Sequence, residues 1–103
     1  MERAKGALFV PAYDLAKARA TARLGEEAPI VTKALTATVL VVDDLGSEPN
    51  FPTSAVPEIL HERHADGKQT IVTTGFSSDE IATRYGSGIA RRLFERTVKL
   101  RVG

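Results

Sequence analysis

The sequence contains no cysteine, which excludes a disulfide framework and thiolate metal sites. It also contains no apolar stretch near the ~20 residues that a membrane-spanning helix needs. The first ten residues, MERAKGALFV, do not have the basic, apolar and small-residue regions of a signal peptide. We therefore expect a cytoplasmic protein without a membrane segment.

The sequence has almost no net charge, because the formal charge is only +1 over 103 residues. A charge this small does not indicate a nucleic-acid partner by itself. The hydrophobic share of 43% and the charged share of 26% are ordinary for a globular protein. A chain of this length rarely divides into two cores, so we predict a single domain over residues 1–103.

Short apolar runs alternate with helical patterns along the chain. The runs that predict strands are residues 6–10, 38–42, 70–74 and 97–102, and the helical patterns are residues 13–23, 26–37, 54–65, a helix from Ser78 and another from Ile89. The run TVLVV has no polar alternation, which is typical of a strand covered on both faces. Strands that alternate with helices predict an α/β fold, with a mainly parallel sheet of about four strands and helices on both faces.

Two adjacent acids, Asp43 and Asp44, follow the TVLVV run. Functional groups collect at the carboxyl ends of parallel strands, which is where this pair is predicted to lie. One carboxylate there could bind Mg²⁺, which prefers oxygen ligands, while the other could orient a water molecule. The pair could equally begin the turn that leads to Gly46. The residue chemistry alone leaves both interpretations open.

The order VLVVDDLGSEP, a helix, and GKQTIVTTGFSSDEIATRYGSGIARRLFE resembles the AAA+ ATPases of the DnaC/IstB-like family, which are helicase loaders and transposition helpers. The resemblance runs from about Gly6 to about Leu100. It implies an ATPase that assists DNA replication or transposition and binds ATP across a subunit boundary. The implied partners are further copies of the chain, a replicative helicase or a transposase, and DNA.

The resemblance also assigns roles to the acids and to the strand at residues 70–74. It puts Asp43 at the Mg²⁺ position of the Walker B element and Asp44 at the position that activates water. TIVTTGF resembles the sensor 1 strand, which usually carries an asparagine near the γ-phosphate. Gly75 stands at that position here, so Thr74 is the nearest polar candidate for contact with the nucleotide.

YGSGIARRLFE resembles the segment that supplies an arginine to the nucleotide of a neighbouring subunit. Two arginines are usual in that segment. Arg92 falls on the second position, whereas Gly88 occupies the first. The resemblance therefore implies that Arg92 acts in trans, by neutralising charge on the transferred phosphoryl group.

The sequence lacks the phosphate cradle G-x-x-x-x-G-K-[ST] that such an ATPase needs. Its one Gly-Lys pair, Gly67-Lys68, does not have the required spacing and is predicted to lie in a turn. The resemblance thus implies a truncated AAA+ core without the P-loop strand, in which ATP and Mg²⁺ belong to the complete protein. That strand would lie between residues 70–74 and 97–102, and unless the chain rearranges the resulting gap predicts that it dimerises or swaps elements.

Other interpretations remain. A metal site on one helix is possible, and its residues would be Glu58, His61, Glu62 and His64. A solvated polar face is favoured, since no third distant ligand is evident. A DNA-binding surface is also less favoured than a solvated face; its residues would be Arg84, Arg91, Arg92, Arg96, Lys99 and Arg101. A receiver-type phosphorylation domain needs a lysine after a late strand, and Lys99 lies inside one. The main alternative is an inactive remnant that acts as a protein- or DNA-interaction module.

Overall fold

The computed structural model describes residues 7–95 and 98–101. Its elements are β1 (Ala7–Pro11), α1 (Ala12–Lys17), a 3₁₀ turn (Ala18–Thr21), α2 (Pro29–Thr36), β2 (Val39–Asp43), α3 (Val56–Ala65), β3 (Gln69–Thr74), α4 (Ser78–Tyr85), α5 (Ser87–Glu95) and β4 (Val98–Arg101). The alternation of strands and helices confirms the predicted α/β fold. Four residues of the predicted elements, Gly6, Arg96, Thr97 and Val102, lie outside the described residues.

The four strands form one parallel sheet in the order β1-β2-β3-β4. β2 is an inner strand, as its unbroken apolar run predicted. β4 pairs directly with β3, with Ile71 opposite Val98. The predicted gap between these two strands is therefore absent. The backbone N–H and C=O groups along this edge of β3 pair with β4, the next parallel strand in the chain. Such pairing is expected because unpaired backbone groups in a sheet interior are costly.

The helices cover one face of the sheet. Leu40 and Val42 on β2 are fully buried, whereas Val41 between them is only partly buried. α1, α2 and α5 all pack against α3, as one layer does. Parallel strands that advance in one direction through right-handed crossovers place their connecting helices on the same face. The prediction of helices on both faces is thus wrong for the described residues.

The opposite face is an open face, defined by Phe9, Val41 and Ile71, which lie in register across three strands. Phe9 is 65% exposed, although it is a large apolar side chain. The sequence predicted a doubly covered β2 because unbroken apolar runs are typical of such strands. Here the apolar residues of one face of β2 remain without a helix against them among the described residues.

A buried arginine fixes the position of α3 relative to its neighbours. Arg63 is fully buried, which is unusual for an arginine. Its guanidinium donates to the carbonyl oxygens of Ala34 at 2.9 Å, Ala37 at 2.6 Å and Gln69 at 2.5 Å, and to the Thr70 hydroxyl at 2.9 Å. Burial lowers the pKa of Arg63 below its ordinary value. The side chain joins the end of α2 to the start of β3.

The ends of α4 are well defined by local chemistry. Glu80 N donates to Ser77 Oγ at 3.2 Å and Ser77 N donates to Glu80 Oε1 at 2.7 Å, which together form a capping box. The helix ends before Gly86, whose φ of 101° is accessible to glycine at little cost. Gly86 forms the corner between α4 and α5. Within the described part of the chain, no helix has both the length and the apolarity needed to cross a bilayer.

Candidate functional site

Asp43 is the last residue of β2 and lies at the carboxyl end of the sheet. It is half-buried, and it is on the same side of β2 as Val39 and Val41, so its carboxylate borders the open face. Asp43 Oδ1 accepts a hydrogen bond from Thr73 Oγ1 at 2.6 Å. Oδ2 accepts none from the residues that the structure describes, which leaves an oxygen for a cation.

Asp44 begins the turn after β2 and is exposed. Its φ is 61°, a left-handed conformation that aspartate tolerates better than most residues. Its carboxylate Oδ1 accepts from Ser47 Oγ at 2.8 Å, and its carbonyl oxygen accepts from Ser47 N at 3.2 Å. The turn role that the sequence left open is therefore present, and the carboxylate still lies next to Asp43 in the chain.

Thr73 holds both acids and was missed by the sequence reasoning. Its hydroxyl donates to Asp43 Oδ1 and accepts from Asp44 N at 2.8 Å. Its carbonyl oxygen accepts from Leu45 N at 2.7 Å. Val42 pairs with Val72, so the parallel register puts Thr73 beside Asp43. The register between the two strands identifies Thr73, and the sequence alone does not state that register.

Thr74, the predicted nucleotide contact, points to the opposite side of β3. Its side chain is fully buried with the helices. Its hydroxyl donates to Leu45 O at 2.6 Å and accepts from Phe76 N at 3.1 Å. The structure therefore does not bring Thr74 to the acidic pair, and a contact with the nucleotide stays a prediction. Gly75, which follows β3, offers no side chain there.

Glu48 is a second residue that the sequence reasoning missed. It is only 4% exposed, and its Oε1 accepts from Gly46 N at 2.8 Å. Its Oε2 accepts from the Tyr85 hydroxyl and lies 3.7 Å from Arg84 Nε, while its carbonyl oxygen accepts from the Arg84 guanidinium. Burial, and then the bond to Glu48, raises the pKa of Tyr85 above its ordinary value. Glu48 thus ties the turn after β2 to the end of α4.

Arg92 lies on α5, and its side chain belongs to the part of the chain that the structure does not describe. Gly88 lies one turn earlier on the same helix, and four residues apart is a spacing that shares a face. A Cβ added at Gly88 would meet nothing within 4 Å. The backbone at Gly88 therefore has room for a Cβ.

The Gly67-Lys68 pair does not have a phosphate-binding geometry. It follows α3 and precedes β3, at the amino end of a parallel sheet whose carboxyl end carries the acids. Gly67 has a φ of 71°, and Lys68 Nζ donates to Leu35 O at 3.0 Å. This confirms that the pair belongs to a turn. It provides no phosphate cradle beside Asp43.

The histidine pair does not form a metal centre with its neighbours. Among the described residues, no three histidine, cysteine, aspartate or glutamate side chains are grouped so that they could hold a metal ion. Mg²⁺ is a different case, because it commonly takes only one or two carboxylates from a protein and keeps several water ligands. The hard oxygen donors of Asp43 and Asp44 fit that requirement.

Comparisons of the chain with family models, with curated proteins and with solved structures find no match.

Proposed function

We propose that the chain forms the metal-binding part of an ATP-hydrolysing site, in a partial AAA+ core of the DnaC/IstB-like type. The protein would be cytoplasmic and would assist helicase loading in DNA replication, or transposition. The observation that carries this proposal is the position of Asp43 and Asp44 at the carboxyl end of an inner parallel strand, with Thr73 holding both. That is the edge at which α/β folds bind ligands.

The two acids take different roles in this proposal. Asp43, half-buried and anchored through Oδ1, would hold Mg²⁺ directly or through water. Asp44, exposed at the turn, would orient the attacking water. When bound, Mg²⁺ supplies positive charge that stabilises a triphosphate and its leaving group. Arg92 would serve the site of a neighbouring copy, and Thr74 stays a candidate for contact with the nucleotide.

ATP itself does not fit the residues of this chain alone. No G-x-x-x-x-G-K-[ST] segment is present in the sequence, and Lys68 lies at the opposite end of β3 from the acidic pair. The proposal therefore assigns ATP to the complete protein and gives this chain the metal end of the site. Its partners would be further copies of the chain, a helicase or transposase, and DNA.

An interaction module without catalysis is the second candidate. The missing cradle and the absence of a side chain at Gly75 favour it, as does the open face with Phe9 65% exposed. Exposed apolar surface of this kind commonly marks a contact with another protein. In this interpretation Asp43 and Asp44 would only shape the turn.

Titration with Mn²⁺, a paramagnetic substitute for Mg²⁺, tests the metal site through the relaxation of water protons. We expect the wild-type chain to bind one ion and Asp43→Asn to bind it at least about tenfold more weakly, since one charged ligand is lost. Asp14→Asn is the matched control, because Asp14 is an exposed aspartate on α1. Equal affinity of wild type and Asp43→Asn, or no binding by either, would favour the interaction module. ATP turnover that disappears in Asp43→Ala would establish an enzyme.

A further inference from the structure

A buried carboxylate connects two parts of the chain that the proposed function uses. Glu48 ends the acidic loop, which we define as residues 44–48. The residue is only 4% exposed, and its carboxylate has three contacts: Gly46 N, the Tyr85 hydroxyl and Arg84 Nε. Buried carboxylates are rare unless they are paired in this way.

The contacts of Glu48 on α4 lie directly before the corner between α4 and α5. Tyr85 is the last residue of α4, and Gly86 follows with a φ of 101°. Gly86 N donates to Ala82 O at 2.8 Å, and α5 begins at Ser87. A rotation of α5 about this glycine would therefore act first on Tyr85 and Arg84. Their contacts with Glu48 would transmit that movement to the acidic loop.

The acidic loop has little freedom to absorb such a movement. Gly46 N donates to Glu48 Oε1 at 2.8 Å, and Leu45 is held through its N–H by Thr73 and through its carbonyl by Thr74. The space beside Gly46 is filled by the Phe76 ring, since a Cβ on Gly46 would lie 2.3 Å from Phe76 Cδ2. A displacement of Glu48 would thus be passed along a short, hydrogen-bonded backbone to Asp44.

We propose that Glu48 is a positioning residue that couples the α4–α5 corner to the geometry of the acidic pair. What the pair binds rests on the function proposed above, whereas the coupling is a property of the chain itself. In this arrangement the helix that carries Arg92 and the loop that carries Asp44 change conformation together. A buried polar network suits this role because it fixes one geometry, where apolar packing of equal volume tolerates several.

Native-state amide exchange, measured by NMR, tests the coupling without any ligand. Tyr85→Phe removes the hydroxyl and keeps the ring, and Glu48→Gln keeps the shape of the side chain. In both variants we expect protection at the Leu45 and Gly46 amides to fall about tenfold, as the loss of one buried hydrogen bond allows. Protection at Val72, in the middle of β3, should stay unchanged. Tyr13→Phe, at an exposed tyrosine on α1, is the matched control and should change none of the three.

Two exchange results would overturn the coupling. An equal loss of protection at Val72 and at Leu45 would show that Glu48 contributes only global stability, and unchanged protection at all three amides would show no coupling. If Glu48→Gln does not fold, Tyr85→Phe alone decides between these results.

Mn²⁺ affinity of the same variants separates this inference from the proposed function. Weaker binding by Tyr85→Phe than by wild type, with Tyr13→Phe unchanged, supports positioning of the acidic pair. Wild-type affinity in a variant whose loop has lost protection would overturn it. If the wild-type chain binds no Mn²⁺, the proposed function fails, while the exchange data still decide whether the corner and the loop are coupled.

Discussion

At the scale of single residues, the acidic loop depends on a glycine that has no room for a side chain. Gly46 has a φ of 102°, and a Cβ there would lie 2.3 Å from the Phe76 ring. Gly46→Ala therefore combines backbone strain with a steric overlap that must displace the ring. We expect a loss of about 2–4 kcal/mol in the free energy of unfolding, measured by urea titration.

Gly25→Ala is the control for the strain alone. Gly25 also has a positive φ, 84°, but a Cβ there would meet nothing within 4 Å. Its substitution should cost only about 1–2 kcal/mol, the usual price of a left-handed alanine. If both substitutions cost the same, the contact between Gly46 and Phe76 does not contribute to stability.

The sequence predicted the single residues of the site only where a local pattern carried the information. Asp43 and Asp44 could be identified because two acids directly follow an apolar run. Thr73 depends on the register between β2 and β3, which the sequence does not state. Glu48 could not be found, because a glutamate in a loop is usually exposed and its partner Tyr85 lies far away in the chain.

At the scale of elements, Arg63 holds the end of α2 and the start of β3 together. Arg63→Met keeps much of the volume but leaves the carbonyl oxygens of Ala34, Ala37 and Gln69 without their donor. Unpaired buried carbonyls are costly, so we expect the free energy of unfolding to fall by about 3–5 kcal/mol. Chemical denaturation followed by circular dichroism measures this loss.

Arg19→Met tests whether burial is the reason for the large loss of stability expected in Arg63→Met. Arg19 also has two partners, Glu27 at 2.7 Å and Glu58 at 2.8 Å, but both carboxylates are more than a third exposed. Ion pairs in water contribute little, so the loss should stay below about 1 kcal/mol. A comparable loss in the two variants would contradict the role assigned to the buried guanidinium.

The sequence predicted the elements better than their arrangement. The apolar runs and the Ser77-Glu80 spacing are local, and the structure has the corresponding strands and the capping box. The pairing of β3 with β4 is not local, because it depends on which other strand is available to the edge of β3. The prediction of a gap between β3 and β4 assumed the strand order of a complete AAA+ core. In the described sheet the strands are instead adjacent in the order in which they occur along the chain.

At the scale of the whole molecule, the sequential order of the strands has one main consequence. Among the residues that the structure describes, all crossovers advance in the same direction, so the helices form one layer and none of them covers the open face. The Asp43 carboxylate borders this face, so whatever occupies the face also lies beside the acidic pair. Self-association therefore remains a proposal. Its physical reason is the open face, because the predicted gap between β3 and β4 is absent.

The open face sets how strongly two copies can associate through it. From ordinary strand spacing and rise, a sheet of four short strands offers about 300 Å². A stable interface needs about 800 Å² from each partner. We therefore expect weak association, in which the mean mass by light scattering rises gradually above that of the monomer between micromolar and millimolar concentrations.

Phe9→Gln should move that rise to roughly tenfold higher concentration, because it removes the most exposed aromatic side chain of the open face from the contact. Leu24→Gln is the matched control: Leu24 is 103% exposed but lies between the 3₁₀ turn and α2, away from the sheet. A general effect of surface hydrophobicity would make both substitutions act alike. A wild-type chain that stays monomeric over the whole range, or an equal response of the two variants, would contradict association through the open face.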